Sequence, residues 1–206
     1  MSLRIIGGEF RGRVLRSPKG VQTRPLLGQA REAIFDILGP RVQGAEVWDL
    51  FAGTGATGIE ALSRGAERVT FVEKARQAID VLRENLEMLG EAARARARVV
   101  RGDAWEPQLA AEDGSPPTPP DLIFLDPPYA LVAEDPSRAV HRAHQLLART
   151  APRGIVCFHF EGALLDEDDF DGRVDLRRYG RCSIALLRRA TEDVAAEGTA
   201  PEAGNP

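Results

Sequence analysis

The chain has 206 residues, which is the size of one domain that buries most of its surface. Its composition, 43% hydrophobic and 28% charged, is ordinary for a globular protein. No apolar run approaches the roughly 20 residues of a membrane span, and no secretory h-region follows the start, so we expect no membrane association. The two cysteines, Cys157 and Cys182, lie in apolar runs and predict core thiols in a cytoplasmic protein, with a disulfide between them as the alternative. Three histidines without a CxxC motif predict no metal site.

The net charge of −4 conceals a basic N-terminus. Residues 1–31 contain seven arginines and lysines but only one acid, Glu9. A basic arm on an acidic body is typical of a protein that holds a polyanion locally. The alternative is a solvated surface with chance clustering. The polyanion interpretation makes six arginines candidate nucleic-acid contacts: Arg4, Arg11, Arg13, Arg16, Arg24 and Arg31.

The first segment, residues 3–16, contains two β-like runs around Gly-rich turns and predicts a hairpin. We assign residues 1–27 to a basic hairpin arm and loop, 28–189 to the main domain, and 190–206 to a disordered acidic tail. Within the main domain, an apolar stripe predicts a short helix over 30–38, which Gly39-Pro40 ends.

A glycine motif follows the first predicted strand, residues 45–51. Gly53, Gly55 and Gly58 match G-x-G-x-x-G and open a helix that reaches about Ser63. Glycines at this place permit a tight turn and close approach of a ligand to the backbone. The next strand, 68–73, ends in Glu73, 18 residues beyond Gly55, where an acid can accept hydrogen bonds from ribose hydroxyls. The pattern predicts a site for a nucleoside cofactor.

The remaining chain alternates predicted helices and strands. We expect helices over 75–89 and 135–149, strands over 98–104, 121–125 and 154–160, and a final hairpin of 173–179 and 182–187 around Gly180. This order predicts a doubly wound α/β sheet, whose carboxyl edge binds ligands. Asp103 follows the third strand and is a candidate for an adenine amino group or an ordinary helix N-cap. His159 either borders the pocket or is simply packed.

The fourth strand ends in the turn Asp126-Pro127-Pro128-Tyr129. The two prolines remove N–H donors and stop strand pairing, so carbonyls of the turn remain acceptors beside the Asp126 carboxylate. Tyr129 offers a flat face for a base, which is worth about 1–3 kcal/mol. Acceptors beside a stacking face suit an exocyclic amino group, whose lone pair can be aimed at an electrophile. The alternative is a Pro-rich loop with Tyr129 covering the core.

Together these motifs resemble class I S-adenosylmethionine-dependent methyltransferases that act on exocyclic amino nitrogens. The N-terminal residues narrow the resemblance to the RsmD family, which methylates a guanine amino group in 16S ribosomal RNA. The residues that carry it are Arg4-Ile-Ile-Gly-Gly, Gly12-Arg13-Val-Leu15, Arg24-Pro25 and Arg31-Glu32-Ala-Ile-Phe35. The resemblance covers residues 4–189. The sequence departs from the family at Leu26-Leu27-Gly28-Gln29, where the family has a polar run. If that run orders the loop on the substrate side, we expect a difference in RNA affinity or target choice.

The resemblance implies a seven-stranded, Rossmann-like sheet with its last strand antiparallel. S-adenosylmethionine is the implied cofactor, with Gly53, Thr54 and Gly55 at its methionine part, Glu73 at its ribose, and Asp103 with Ala104 at its adenine. We add Asp49, Phe51 and Lys74, at the ends of the first two strands, to the cofactor-binding candidates. Asp126 and the Pro127 carbonyl accept from the guanine amino group, Pro128 completes the turn, and Tyr129 stacks on the base. The implied partner is 16S rRNA in the small ribosomal subunit or an assembly intermediate, bound by a monomer.

Three other functions fit parts of the sequence. A DNA adenine amino methyltransferase would share the pocket, although we see no domain for reading duplex sequence. A nicotinamide dehydrogenase would explain the glycines and Glu73 but not residues 126–129. A non-catalytic RNA-binding assembly factor on the same scaffold would be marked by a broken cofactor loop or a broken Asp-Pro-Pro-Tyr, and both are intact.

Overall fold

The computed structural model describes residues 3–17, 25–110, 114–170 and 174–189. The strands are β1 (Glu46–Leu50), β2 (Arg68–Glu73), β3 (Ala97–Arg101), β4 (Leu122–Leu125), β5 (Ile155–Glu161), β6 (Val174–Tyr179) and β7 (Cys182–Arg188). The α-helices are α1 (Pro25–Leu38), α2 (Ala56–Ser63), α3 (Arg76–Leu89), α4 (Glu91–Ala95), α5 (Tyr129–Glu134) and α6 (Pro136–Ala148). Single 3-10 turns cover Gly39–Val42 and Asp168–Phe170.

The strands of the described residues form one seven-stranded sheet in the order β3-β2-β1-β4-β5-β7-β6. The pairs from β3 to β5 are parallel, whereas β7 runs antiparallel to both β5 and β6. The predicted seven-stranded Rossmann-like fold with an antiparallel last strand is therefore confirmed. The order reverses at β1, so the carboxyl ends of β1, β2, β4 and β5 meet at the edge where such sheets bind ligands.

Alternating side chains divide the core into two layers. On one face of the sheet, Val47 and Phe124 pack with α1, α2, α3 and the N-terminal segment. On the other face, Trp48, Ile123 and Phe158 pack with α5, α6 and the turn at Phe170. The inner strands β1, β2, β4, β5 and β7 are mostly buried because helices cover both faces, whereas the edge strands β3 and β6 are only partly buried.

The N-terminal arm, defined here as residues 3–17, is part of this core. Its two halves pair antiparallel through the Arg4–Val14 bridge, with Ile5 N–H donating to the Arg13 carbonyl (3.0 Å). The predicted hairpin is confirmed in its pairing but is limited to a single bridge. Ile5, Phe10 and Leu15 are buried in the first face of the core, so the arm is packed against the main domain.

The helices differ from the prediction in three places. Helix α1 starts at Pro25, five residues earlier than predicted, and includes the assigned boundary between residues 27 and 28. Proline is well accommodated in the first turn of a helix because that turn lacks intrahelical N–H partners. Helices α4 and α5 were not predicted, since each is short and adjoins a glycine or proline typical of turns. The other helices and the strands agree within a few residues at either end.

Several predictions fall on residues that the structure does not describe. The predictions concern most of the 17–25 loop, part of the loop before β4, and the tail 190–206. Both cysteines are buried free thiols, as predicted. Among the described residues, no helix has the length and apolar character needed to cross a bilayer.

Candidate active site

The loop between β1 and α2 carries the glycine motif and is shaped by close packing. Gly55 has φ +83°, and a Cβ there would lie 2.2 Å from Leu82 Cδ1. A Cβ at Gly58 would lie 2.3 Å from the Phe71 ring, so helix and strand touch through this glycine. Gly53 (φ +54°) differs, because its Cβ would approach no atom closer than 4.0 Å. The first glycine thus faces open space, where a ligand can reach the backbone.

Asp49, on the buried strand β1, supports this loop from below. Its Oδ2 accepts from the Gly58 N–H at 2.8 Å. Burial raises the pKa of the Asp49 carboxyl to about 7, against the opposing effect of the Gly58 hydrogen bond, and the like charges of Asp126 and Glu73 add to the rise. A cation bound nearby would favour the ionised form of this carboxyl.

Glu73, the last residue of β2, holds the other side of the loop. Its Oε2 accepts from the Gly53 N–H at 2.9 Å, and its Oε1 accepts from the N–H groups of Lys74 (2.8 Å) and Ala75 (2.7 Å). Each carboxylate oxygen has a second lone pair, so the predicted ribose hydrogen bonds remain possible. The Lys74 side chain is exposed at the same strand end.

Aromatic side chains line the loop on the β3 side. Phe51 has φ 60°, the only positive φ among the described non-glycine residues, which marks a strained backbone of the kind found at binding sites. Its ring meets Trp105 edge-on, with centroids 5.0 Å apart. Asp103 begins no helix; its Oδ1 accepts from the Trp105 N–H at 2.9 Å, and Ala104 between them is buried. Trp105 was not among the predicted site residues, although its position two residues after Asp103 places it near the cofactor-binding edge of the sheet.

The turn after β4 lies at the same edge of the sheet. The Pro128 carbonyl accepts from the Leu131 N–H at 2.9 Å, whereas no described residue donates to the Pro127 carbonyl. The Asp126 side chain is 44% exposed. Tyr129 starts α5 and is partly buried. An exposed carboxylate, an available carbonyl and a ring therefore stand within four consecutive residues.

His159 of β5 contacts this turn through both of its ring nitrogens. Its Nδ1 lies 2.7 Å from Asp126 Oδ1, and its Nε2 lies 3.3 Å from the Tyr129 hydroxyl. The imidazole side chain is only 6% exposed. These two contacts place His159 against the Asp126–Tyr129 turn, and its role in the site stays a prediction.

The candidate RNA-binding arginines are placed differently from one another. The side chains of Arg4, Arg11, Arg13 and Arg16 are exposed on the arm, and Arg24 lies outside the described residues. Arg31 is 7% exposed and donates to the Arg4 carbonyl at 2.6 Å. Burial lowers the pKa of its guanidinium. Because its side chain belongs to the interior, the prediction that Arg31 contacts RNA does not fit this structure.

Three buried polar residues that the sequence analysis missed anchor the arm. Glu60 accepts from the N–H groups of Ile6 (2.7 Å) and Gly7 (2.8 Å), and Ser63 Oγ accepts from the Phe10 N–H (2.9 Å). Asn85 Oδ1 accepts from the Arg16 N–H at 2.7 Å. Its amide nitrogen donates to the Thr54 carbonyl at 3.0 Å, so one side chain joins the arm to the glycine loop.

These features fit the cofactor that the motifs imply. S-adenosylmethionine carries a sulfonium and an amino group, which suit the acids Asp49 and Glu73, and an adenosine that suits an aromatic wall. The open space beside Gly53 provides access to the backbone. The assignment of individual cofactor contacts to Gly53, Thr54, Gly55, Glu73, Asp103 and Ala104 stays a prediction.

Comparison with known proteins places these features in a family. A family model described as Conserved hypothetical protein 95 matches residues 3–187. The Escherichia coli protein "Ribosomal RNA small subunit methyltransferase D" is 40% identical over 127 residues, which is 62% of this chain and 60% of that protein. The aligned stretch thus spans less than two thirds of this curated relative.

Solved structures agree in fold over a longer stretch. The Escherichia coli protein yhhF is 31% identical, with a TM-score of 0.70 over 92% of this chain and 98% of its own. The Thermus thermophilus 16S rRNA N2 G1207 methyltransferase, solved with AdoMet and guanosine, is 22% identical with a TM-score of 0.67. It covers 91% of this chain and 49% of its own, and at that identity the likeness concerns the fold alone.

Proposed function

Because this chain belongs to the family described as Conserved hypothetical protein 95, we propose that it methylates the exocyclic N2 of a guanine in 16S rRNA, using S-adenosylmethionine. The family match and the relatives named methyltransferase D confirm the RsmD resemblance that the motifs carried. The single observation that carries the proposal is the Asp126–Tyr129 turn, whose half-exposed carboxylate stands at the sheet edge that also holds the glycine loop.

In this proposal the Asp126–Tyr129 turn binds the guanine and the β1–α2 loop binds the cofactor. Asp126 and the Pro127 carbonyl accept hydrogen bonds from the two protons of the guanine amino group, which aims its lone pair. Tyr129 stacks on the base and Pro128 keeps the turn rigid. The bound cofactor supplies an electrophilic methyl group. After N2 has gained its fourth bond, Asp126 takes the proton that N2 loses, so no strong base is required.

The cofactor would lie along the β1–α2 loop. Gly53, Thr54 and Gly55 would approach its methionine part, with Asp49 beneath them. Glu73 and Lys74 would stand at the ribose, and Phe51, Asp103 and Ala104 at the adenine. Support comes from the open space at Gly53 and from the acids Asp49 and Glu73 close to the loop.

The arm would hold the RNA. Arg4, Arg11, Arg13 and Arg16 are exposed on the arm, whose apolar residues pack on the core face that also holds Phe124 of β4, and with Arg24 they would contact phosphates. The target guanine must leave its stack, which costs a few kcal/mol and less in a loop than in a duplex. We place the reaction in the cytoplasm, on the small subunit or an assembly intermediate, with a monomeric enzyme.

The test is transfer of labelled methyl groups from S-adenosylmethionine to three substrates: unmodified small subunits, naked 16S RNA and duplex DNA. We expect N2-methylguanosine from one of the ribosomal substrates, identified by nucleoside analysis. Methyladenine in DNA would replace the RNA proposal with the DNA methyltransferase alternative. Cofactor binding by calorimetry without transfer to any substrate would favour the assembly factor instead.

A further inference from the structure

The contact between His159 and the Asp126–Tyr129 turn depends on the order of the strands. Strand β5 lies parallel to β4, with Leu125 opposite Phe158. His159 is therefore the next residue after the last β4–β5 pair, beside the start of the turn. Its side chain shares a face of the sheet with Ile155 and Cys157, the face that α1 and the N-terminal arm cover.

The hydrogen bonds determine where the imidazole carries its proton. A carboxylate oxygen accepts hydrogen bonds, so we assign the donor role in this 2.7 Å contact to His159 Nδ1. In the neutral ring Nε2 is then an acceptor, and the Tyr129 hydroxyl 3.3 Å away donates to it. One buried ring thus accepts from the aromatic residue of the turn and donates to its carboxylate.

We propose that His159 is a positioning residue, which orients Asp126 and Tyr129 together for the incoming base; the inference rests on the proposed function. Among the described residues, His159 is the only side chain hydrogen-bonded to the Asp126 carboxylate. Because that carboxylate is 44% exposed, it would otherwise rotate freely in solvent. With Oδ1 engaged, Oδ2 remains for the guanine amino group.

The same ring fixes the stacking face. Tyr129 and His159 meet edge-on, with centroids 5.6 Å apart and planes at 70°. A swing of the tyrosine side chain about χ1 would break its hydroxyl contact to Nε2, and the edge-on packing opposes rotation of the ring about χ2. His159 thereby sets the distance between the Asp126 carboxylate, which accepts from the amino group, and the Tyr129 ring, which stacks on the base. His159 itself touches neither cofactor nor base. This distance matters because small misplacements of reacting groups lower the rate of reaction.

Three variants separate the two contacts. His159→Leu removes both, His159→Asn keeps a donor near the Nδ1 position, and Tyr129→Phe removes only the hydroxyl while keeping the ring. We expect His159→Leu to lower kcat about 10- to 100-fold with unchanged cofactor affinity, and His159→Asn to recover most of the loss. His141→Leu, an exposed histidine on α6, is the matched control and should keep the wild-type kcat.

A second measurement does not depend on activity. The ¹⁵N chemical shifts of labelled His159 in the full chain should show the proton on Nδ1, and Asp126→Ala should shift them. A folded His159→Leu variant with wild-type kcat would overturn the inference, and so would a proton found on Nε2. Failure of the wild-type protein to methylate any guanine would overturn the proposed function. The ¹⁵N shifts would still test the hydrogen bond from His159 Nδ1 to Asp126, because they do not depend on activity.

Discussion

Three acids approach one another at the carboxyl edge of the sheet, and each has a different donor. Asp49 accepts from Gly58, Glu73 from three backbone N–H groups, and Asp126 from the His159 ring. Asp49 and Glu73 therefore use part of their acceptor capacity to shape the loop, whereas the Asp126 side chain is 44% exposed. An edge of this kind suits a cationic cofactor on one side and an amino group on the other.

Substitution of the exposed acid should separate chemistry from binding. In Asp126→Ala the guanine amino group loses its main acceptor, so we expect kcat to fall about 100-fold or more. Cofactor affinity measured by calorimetry should persist, because the glycine loop does not use this carboxylate. Asp80→Ala, an exposed acid on α3, serves as the control. Loss of cofactor binding in a folded Asp126→Ala variant would contradict the assignment.

The buried acid should make stability depend on pH. The pKa of Asp49 is raised to about 7 in the folded state, so the folded chain binds this proton more tightly than the unfolded chain. This contribution to stability is fully present below the unfolded pKa of about 4 and is lost as pH rises through about 7. Urea denaturation across this range should show the loss, and Asp49→Asn should abolish that component.

Cofactor binding should couple to the same proton. A bound cation favours the ionised carboxyl, so we expect proton uptake by the buffer at pH 6 and affinity that rises between pH 6 and pH 8. Calorimetry in buffers of different ionisation enthalpy measures the released proton. Equal proton release by Asp49→Asn would show that another group is responsible.

At the scale of elements, the arm is fastened to the domain at two places. Its first half binds the end of α2 through Glu60 and Ser63, and a Cβ at Gly8 would lie 1.8 Å from the Ser63 carbonyl oxygen. Its second half binds α3 through Asn85. The arm is therefore held in a defined position relative to the glycine loop, to which Asn85 also bonds.

Removal of the Asn85 amide should destabilise both arm and loop. Asn85→Leu leaves the Arg16 N–H and the Thr54 carbonyl without their partner, and each buried unsatisfied group costs about 1–3 kcal/mol. We expect a lower urea midpoint together with weaker cofactor binding. Gln77→Leu, on the exposed side of the same helix, should change neither. A destabilised Asn85→Leu variant with wild-type cofactor affinity would contradict the link to the loop.

At the scale of the whole molecule, the N-terminal arm carries a net positive charge. The net charge is −4, yet the arm carries four exposed arginines, and its apolar residues pack on the core face that also holds Phe124 of β4. Arg13 donates to the Met88 carbonyl (2.9 Å) and Arg16 pairs with Glu84. Arg11 donates its backbone N–H to the Gly8 carbonyl, and its guanidinium makes no hydrogen bond or ion pair with any described residue. The arm is thus partly neutralised by α3 and partly available to phosphates.

RNA binding should depend on salt through the arm. Arg11→Ala with Arg13→Ala removes two cationic contacts, so we expect weaker binding and a log–log salt slope flatter by about 1.4 to 1.8. Fluorescence anisotropy with a 16S fragment at several salt concentrations measures both. Arg41→Ala with Arg68→Ala, two exposed arginines near the starts of β1 and β2, is the matched control. An unchanged slope would make the arm an ordinary solvated surface.

Local sequence patterns predicted most strands and the long helices because these elements depend on side-chain periodicity and on backbone preferences of nearby residues. Apolar runs and glycine stops identified the strands and the long helices, and α3 and α6 lie within a residue or so of their expected bounds. The Asp126–Tyr129 turn was conspicuous because prolines at a strand end have few structural uses. Helix α5 escaped because Pro-Pro-Tyr is typical of a turn.

What the sequence by itself determined is the strands and the long helices, the glycine loop, the acids at strand ends and the family. What only the tertiary structure decided is which distant side chains meet: His159 with Asp126, Asn85 with Thr54, and Arg31 with the Arg4 carbonyl. Periodicity assigns a residue to a face, but the partner opposite it depends on strand order and register, which follow from packing of the whole core. The same packing buried Arg31, whose charge had suggested the surface.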